Sequence, residues 1–278
     1  MERPTIAILL ATYNGAQYLG ELIDSLLRQS YPYFTVYIHD DGSTDGTLAL
    51  EEDYAQKHEI IQLLRYESQH GACANFLSML ERVEADYYLF CDHDDVWDED
   101  KVRLSLEAMR QEEQKTPGQA VIVHTDLYVV DSTLQPIARS FLRYNGLHPE
   151  YLTTFDEAVI PFVTGCTMMM NAAARKAVRK PAKPVAMHDV WATYCVLSQG
   201  GTVRLIDQPL VFYRQHGTNT VGARDIRKVT LGYRMKHLVK ILKNNHANYS
   251  MLRALGYGSV MKYIRYKLRY KRRVLKNR

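Results

Sequence analysis

The stretch Tyr87-Tyr88-Leu89-Phe90-Cys91-Asp92-His93-Asp94-Asp95-Val96-Trp97 joins an apolar strand pattern directly to three closely spaced carboxylates. Such carboxylates repel one another unless a cation lies among them. In open α/β sheets, the carboxyl end of a strand is where ligands bind. The stretch therefore predicts an α/β sheet with a divalent-metal site at its rim. The alternative is an acidic loop that caps a helix beginning near Asp98.

The composition is that of a globular protein. Of the 278 residues, 46% are hydrophobic and 24% are charged, which is enough to build a sizeable core. The N-terminus shows no signal-peptide pattern. The cysteines have neither paired nor CxxC spacing, so we expect reduced thiols in a cytoplasmic protein. They are Cys73, Cys91, Cys166 and Cys195.

The charge is distributed unevenly along the chain. Residues 223–278 contain 17 lysines and arginines but a single acid, Asp225, which makes a local net charge of +16. Because the whole chain carries +4, residues 1–222 carry −12. This asymmetry predicts two units, a domain over residues 1–222 and a basic helical tail over residues 223–278.

The first half of the chain alternates strands with amphipathic helices, which predicts a parallel sheet and an α/β nucleotide-binding half. The expected strands are Thr5–Leu10, Phe34–His39, Ile60–Arg65 and Tyr87–Cys91, with helices around Leu19–Leu27 and Ala72–Glu84. The second half predicts a mixed sheet that receives another substrate. Its expected elements are helices Asp100–Glu113 and His188–Gln199, strands Ala120–Val130 and Phe162–Met170, and short strands near Val203 and Val211.

Two further loops are expected at the same rim. The first strand ends in Ala11-Thr12-Tyr13-Asn14-Gly15, and the second ends in His39-Asp40-Asp41-Gly42-Ser43-Thr44-Asp45-Gly46. An aromatic ring together with a carboxylate suits a nucleobase, since one stacks and the other accepts from a ring N–H. The chain has neither a Walker loop nor a GxGxxG motif.

Taken in order, these three motifs resemble those of family 2 glycosyltransferases, which have the GT-A fold. Later stretches are similar to the bacterial rhamnosyltransferase-like branch of that family, and the resemblance covers about residues 4–222. They are Gly165-Cys166-Thr167-Met168, Met187-His188-Asp189-Val190-Trp191 and Tyr213-Arg214-Gln215-His216-Gly217-Thr218-Asn219. One departure is His70, where relatives often have Asn.

The resemblance implies a role for each matching residue. It implies residues that bind the donor's nucleobase and ribose, ligands for a divalent ion (Mg²⁺ or Mn²⁺), and a general base. The implied donor-binding residues are Ala11, Tyr13, Asp40, Asp41 and Asp92, the metal ligands are Asp94 and His216, and the base is Asp189. From the residues alone, the favoured interpretation of Asp189 is an N-cap for the following helix, whereas His216 is equally a hydrogen-bonding loop residue.

The expected activity is inverting transfer of a sugar to a lipid-linked or growing surface polysaccharide. The first candidate donor is dTDP-rhamnose. The alternatives are a UDP-hexose donor, or a non-catalytic scaffold that binds nucleotide sugars.

The tail predicts an amphipathic helix. Its apolar face comprises Tyr257, Val260, Met261, Ile264, Leu268 and Leu275, surrounded by lysines and arginines. Such a helix suits the surface of an anionic bilayer, which would attach the protein peripherally to the inner face of the cell membrane. A helix packed on the domain is the second interpretation, and nucleic-acid binding is the least favoured.

Overall fold

The computed structural model describes residues 3–217, 222–223, 225–226 and 229–276, without the side chains of Leu231 and Arg234. Two residues of the last sequence motif, Thr218 and Asn219, lie outside this part of the chain. So do the tail residues Arg224, Arg227, Lys228 and Arg278.

The first half forms the parallel part of one large sheet. Its strands run in the order β3-β2-β1-β4, and all three neighbouring pairs are parallel. The elements are β1 (Ile6–Thr12), α1 (Ala16–Leu27), β2 (Thr35–Asp40), α2 (Thr47–Lys57), β3 (Ile61–Leu63), α3 (Ala72–Arg82) and β4 (Tyr87–Asp92). The predicted alternation of strands and helices is confirmed.

The second half extends the sheet with antiparallel pairs. The full order is β3-β2-β1-β4-β8-β6-β9-β5, and β7 pairs with β6. Strand β8 is antiparallel to both β4 and β6, whereas β6 and β9 are parallel. The elements are β5 (Val96–Trp97), α4 (Lys101–Lys115), β6 (Val121–Asp131), β7 (Pro136–Ala138), α5 (Phe141–Asn145), β8 (Met168–Asn171), α6 (Ala172–Ala177), α7 (His188–Ser198) and β9 (Thr202–Gln215). The predicted mixed sheet is confirmed.

Two of the predicted elements have wrong boundaries. The expected strand Phe162–Met170 is reduced to β8, because residues Gly165–Thr167 form a 3-10 turn. The two short strands near Val203 and Val211 are one strand, since β9 bends at register shifts opposite β6 and continues. The predicted helix Asp100–Glu113 is confirmed as α4, which has Asp100 as its N-cap and follows the residues that pair with β9.

Both faces of the sheet are covered, which explains the continuous apolar pattern of β1. On one face, Ile6, Ile8 and Leu10 pack against the buried leucines of α1. On the other face, Leu9 packs with Phe76 and other residues of α3. The carboxyl ends of the parallel strands β1, β2 and β4 therefore meet at one edge between two apolar layers.

The tail is helical and packs on the domain. Its helices are α8 (Leu231–Lys236), α9 (Leu238–Ala254) and α10 (Val260–Lys276). Helices α9 and α10 form an antiparallel hairpin, in which the rings of Tyr249 and Tyr263 lie 5.5 Å apart and Lys267 donates to Asn245. Tyr257, expected on the exposed apolar face, is instead buried. Within the described residues, no helix combines the length and apolar character needed to cross a bilayer.

Candidate active site

The acidic loop after β4 meets the end of β9. The Oδ2 atom of Asp94 lies 2.7 Å from Nε2 of His216, and only 15% and 11% of these side chains are exposed. The contact arises because Val96 pairs with Phe212, which brings β9 back across the acidic loop. The two residues implied as metal ligands are thus neighbours, although 122 positions separate them.

Two further carboxylates lie behind this pair. Ligand atoms of Asp92, Asp95 and Cys166 all lie within 4.8 Å of one another. Burial, followed by the charge of Asp94, raises the pKa of both Asp92 and Asp95. The charged forms of both carboxylates are therefore disfavoured in the protein alone, and a cation beside them would favour those charged forms.

Arg214 holds the acidic loop in place. Its Nε donates to the carbonyl oxygen of Asp94 (2.9 Å), Nη1 donates to the carbonyl of Ser132 (2.7 Å), and Nη2 donates to Glu21 Oε2 (2.5 Å). The guanidinium also lies 4.5 Å from the ring centroid of Tyr18, and the residue is only 2% exposed. Sequence reasoning assigned Arg214 no role, although it lies in one of the quoted motifs.

A second buried cation lies beneath the acidic loop. Lys101 is fully buried, and its Nζ lies 3.3 Å from the ring centroid of Trp97, with no hydrogen-bond partner among the described residues. Burial lowers the pKa of Lys101 to about 7, and the nearby Cys91 and Asp95 oppose that effect. Nothing in the sequence pattern distinguishes this lysine from an exposed one at a helix start.

The first two rim loops are joined to each other. Ala11 pairs with both His39 and Asp92, so the three strand ends lie side by side. Tyr13 follows with 57% of its surface exposed, which leaves its ring free to stack on a ligand. The carboxylate of Asp40 instead accepts from the following turn, with Oδ1 bonded to the amides of Gly42 (2.9 Å) and Ser43 (2.7 Å).

Asp41 organises a third loop. Its Oδ1 accepts from the Ser68 hydroxyl (2.7 Å) and from the amides of Gln69 (2.5 Å) and His70 (3.0 Å), and its Oδ2 accepts from the Gly71 amide (2.5 Å). Burial opposes ionisation, but these bonds outweigh it and hold the pKa of Asp41 below its ordinary value. Within the described residues Oδ2 has one donor, the Gly71 amide, so this oxygen retains capacity to accept from a nucleobase.

Glu51 lies under these loops and was missed by the sequence analysis. It is 2% exposed and accepts from the Thr12 hydroxyl at 2.7 Å. The same hydroxyl lies 3.2 Å from Asp40 Oδ2. Burial raises the pKa of Glu51 to about 7, and the charge of Asp40 adds to that effect. In sequence, Glu51 is one acid in a polar helix, α2, with no visible sign of burial.

Asp189 reaches the rim from helix α7. Its Oδ2 accepts from the Gly165 amide (2.9 Å), its Oδ1 accepts from the Val190 amide (2.7 Å), and the residue is 4% exposed. Burial is the main cause of the raised pKa values of Asp92 and Cys73, and the charge of Asp189 adds to both effects, so Asp189 lies close to these two residues. Met187 is the N-cap of α7, so the N-cap interpretation of Asp189 is wrong.

The approach of Asp189 depends on Gly165. A Cβ atom at that position would lie 2.5 Å from Nε2 of His188 and 3.6 Å from Cβ of Asp189. Trp191 is not available to stack on a sugar, because it is 3% exposed and its indole N–H donates to the carbonyl of Arg179 (2.7 Å).

Comparisons with known proteins agree with this geometry. Residues 7–178 match the family described as Glycosyl transferase family 2. The chain is 27% identical to dTDP-rhamnosyl transferase RfbG of Shigella flexneri over 227 residues, which cover 77% of this chain and 74% of that relative.

Solved structures show the same fold. The mannosyltransferase PcManGT from Pyrobaculum calidifontis, in complex with GDP-Man and Mn²⁺, superposes with a TM-score of 0.59 at 15% identity, covering 94% of this chain and 78% of that one. S. aureus TarS 1-349 in complex with UDP-GlcNAc gives 0.58 at 17% identity, covering 90% and 70%. The match to TarS 1-349 without a sugar nucleotide spans 60% of that chain. The chain thus belongs to glycosyl transferase family 2 and is a glycosyltransferase with the GT-A fold.

Proposed function

We propose that the protein transfers a sugar from a nucleotide-sugar donor, with inversion at the anomeric carbon, to a lipid-linked or growing surface polysaccharide. The observation that carries this proposal is that residues suited to three functions lie at the same edge of the sheet. An exposed ring (Tyr13) and a carboxylate (Asp41) suit a nucleobase, Asp94 and His216 suit a metal, and Asp189 suits a base.

The metal site is supported by its donor set. A carboxylate oxygen and an imidazole nitrogen 2.7 Å apart fit two neighbouring positions around one ion. The ion would also favour the charged forms of the buried carboxylates Asp92 and Asp95. Asp94 and His216 would hold Mg²⁺ or Mn²⁺, with Asp92 directed to the donor's ribose. When bound, the ion would neutralise the negative charge that builds up on the departing nucleoside diphosphate.

Asp189 is proposed to accept the proton of the acceptor hydroxyl. The Gly165 and Val190 amides fix its carboxylate, and each oxygen retains room for another hydrogen. General-base assistance of this kind contributes about 10² to 10⁴ in rate. A single direct displacement by the hydroxyl inverts the anomeric carbon.

The proposed donor is dTDP-rhamnose, supported by the similarity to the dTDP-rhamnosyl transferase RfbG. A UDP-hexose is the second candidate, supported by the TarS complexes with UDP and UDP-GlcNAc. A tyrosine and an aspartate do not discriminate between these bases, since thymine and uracil offer the same N3–H and O4. A scaffold that binds the donor without turnover would have no use for the fixed carboxylate of Asp189.

The acceptor is proposed to be lipid-linked, at the inner face of the cell membrane. The supporting observation is the net charge of +16 over residues 223–278, which suits peripheral attachment to anionic lipids. Residues 1–222 would form the transferase domain, and residues 223–278 the attachment unit.

The test is release of nucleoside diphosphate from a panel of dTDP- and UDP-sugars, with Mn²⁺ or Mg²⁺ and an EDTA control. We expect one donor to release its nucleoside diphosphate. Added acceptor lipid should increase the rate of release, and EDTA should abolish it. Asp189→Asn serves as the matched inactive control. Donor binding without release under every condition would favour the scaffold, and release that EDTA leaves unchanged would refute the metal assignment.

A further inference from the structure

Helix α10 has two faces with different surroundings. At about 100° per residue, its buried residues fall on one side. That side packs against the domain and against α9, and it comprises Tyr263, Tyr266, Lys267, Tyr270, Arg273 and Val274. Burial here is substantial, because Tyr263 is 4% exposed and Val274 is 9% exposed.

A stripe of apolar side chains lies roughly opposite, about 150° around the helix axis. Each of these residues is between 45% and 70% exposed, so no element in the described part of the chain covers them. This stripe, hereafter the outer stripe, comprises Met261, Ile264, Leu268 and Leu275. A second exposed apolar set, at helical spacing, occupies α8 and α9. It comprises Met235, Leu238, Val239 and Leu242.

Cations border the outer stripe. On one side of the stripe, four exposed cations lie within about 80° of the stripe's edge around the helix axis. They are Arg265, Arg269, Arg272 and Lys276. Lys271 lies on the other side. No acidic residue occurs after Asp225. An apolar stripe between basic flanks is the pattern of a helix that lies in the plane of an anionic membrane surface.

Other occupants fit less well. A second copy of this chain packed on the outer stripe would bring two sets of flanking arginines together, at a cost in like-charge repulsion. Nucleic acid would bind the cations through its phosphates but leave the apolar stripe exposed to water. An anionic bilayer satisfies both features, because its headgroups pair with the cations and its acyl chains receive the stripe.

We propose that α10 lies in the headgroup region of an anionic bilayer, with the outer stripe directed toward the acyl chains. This inference rests on the membrane attachment proposed above, and identifies the surface and its orientation. Lipid contact then comes from the face of α10 that points away from the domain.

The inner face of α10 determines which part of the domain is brought to the membrane. Tyr270 Oη accepts from the His148 amide (3.0 Å), and Arg273 pairs with Glu157 (2.9 Å). Lys262 pairs with Asp156, whose carbonyl accepts from Tyr257 Oη (2.9 Å). The segment 146–157 is thereby held on the domain side of α10. It would lie about one helix diameter, or roughly 10 Å, from the headgroups.

Vesicle binding tests the proposal without any turnover. We expect the full chain to bind vesicles of 70% phosphatidylcholine and 30% phosphatidylglycerol, but not pure phosphatidylcholine, in 0.15 M salt. The variant Met261→Gln/Ile264→Gln/Leu268→Gln/Leu275→Gln should bind at least about tenfold more weakly while retaining its affinity for UDP or dTDP. Nucleotide affinity is measured separately from vesicle binding. If the wild type binds vesicles but neither UDP nor dTDP, the result counts against the proposed function and not against the membrane surface.

Two tryptophan variants test the orientation. Ile264 and Ile137 are similarly exposed, at 45% and 48%, but Ile137 lies on β7 outside the tail. With brominated lipids in the anionic vesicles, fluorescence of Ile264→Trp should be quenched and that of Ile137→Trp should not. Unchanged binding of the four-glutamine variant would overturn the proposal, as would equal quenching at both positions. Two other results would also overturn the proposal. One is a wild-type dimer that dissociates in the four-glutamine variant, and the other is wild-type protein that binds nucleic acid but not vesicles.

Discussion

Replacing Glu51 by glutamine should stabilise the protein at neutral and alkaline pH. The side chain is 2% exposed, and its pKa rises from an ordinary 4.5 to about 7 because burial penalises the charged form. Glutamine has the same shape as the protonated acid and still accepts from the Thr12 hydroxyl. At about 1.36 kcal/mol for each tenfold change in proton affinity, ionising Glu51 costs the native state about 3 kcal/mol.

The sign of the pH dependence follows from proton binding. Between pH 4.5 and about 7 the native state holds the Glu51 proton more tightly than the unfolded chain does, so wild-type stability falls as the pH rises through this window. Below it, both states are protonated and Glu51→Gln should match the wild type. Above it, the variant should be more stable by up to about 3 kcal/mol.

Urea unfolding at pH 5, 6, 7 and 8 and constant ionic strength measures this difference. Subtracting the two proteins at each pH removes the contribution of all other titrating groups. Glu52→Gln is the matched control, because Glu52 is exposed and pairs with Arg65 at the surface, so it should change stability by less than about 0.5 kcal/mol. A difference for Glu51→Gln that is independent of pH, or a less stable variant at pH 8, would refute the reasoning.

Other predictions concern the rim. Asp189→Asn should leave donor affinity within about twofold but lower turnover by about 10² to 10⁴, measured by nucleoside diphosphate release; wild-type turnover would remove the base assignment. Asp94→Ala should weaken Mn²⁺ binding at least about tenfold by calorimetry with an unchanged circular dichroism spectrum, and unaltered affinity would move the metal elsewhere. Gly165→Ala should cost about 1 to 3 kcal/mol in urea unfolding, because the added methyl group meets His188, and a neutral effect would show that α7 adjusts freely. Arg214→Met should cost about 2 to 4 kcal/mol by the same measurement, since the carbonyls of Asp94 and Ser132 lose their donor. A smaller loss would mean that water replaces the guanidinium.

The edge of the sheet that carries the candidate site could be predicted from the sequence, because its position depends on local sequence patterns. Each parallel strand is an apolar run that ends at a polar motif, and parallel strands end at the same edge. Thr12 pairs with Asp40 and Ala11 with Asp92, as that argument requires. The roles of the rim residues toward donor, metal and acceptor remain predictions, since they concern ligands rather than the fold.

The burial of three charged side chains could not be predicted from the sequence. Glu51, Lys101 and Arg214 occur in sequence as ordinary charged residues, a type that is mostly exposed. Their burial depends on which side chains fold over them from distant parts of the chain, such as Trp97 over Lys101. The tail shows the same limit, because helical periodicity identified the apolar residues of α10 but placed Tyr257 among the exposed ones.

The meeting of Asp94 and His216 follows from one short strand pair. Strand β5 has two residues, and its pairs Val96–Phe212 and Trp97–Val211 run antiparallel. Counting outward from Val96–Phe212 places Asp94 level with Arg214, and these residues are indeed bonded through Nε and the carbonyl oxygen. A shift of one residue in this register would turn every β9 side chain to the opposite face and separate the two proposed ligands. The buried guanidinium therefore does more than offset nearby acids. By bonding to the backbone of the acidic loop, Arg214 supports the register on which the proposed metal site depends.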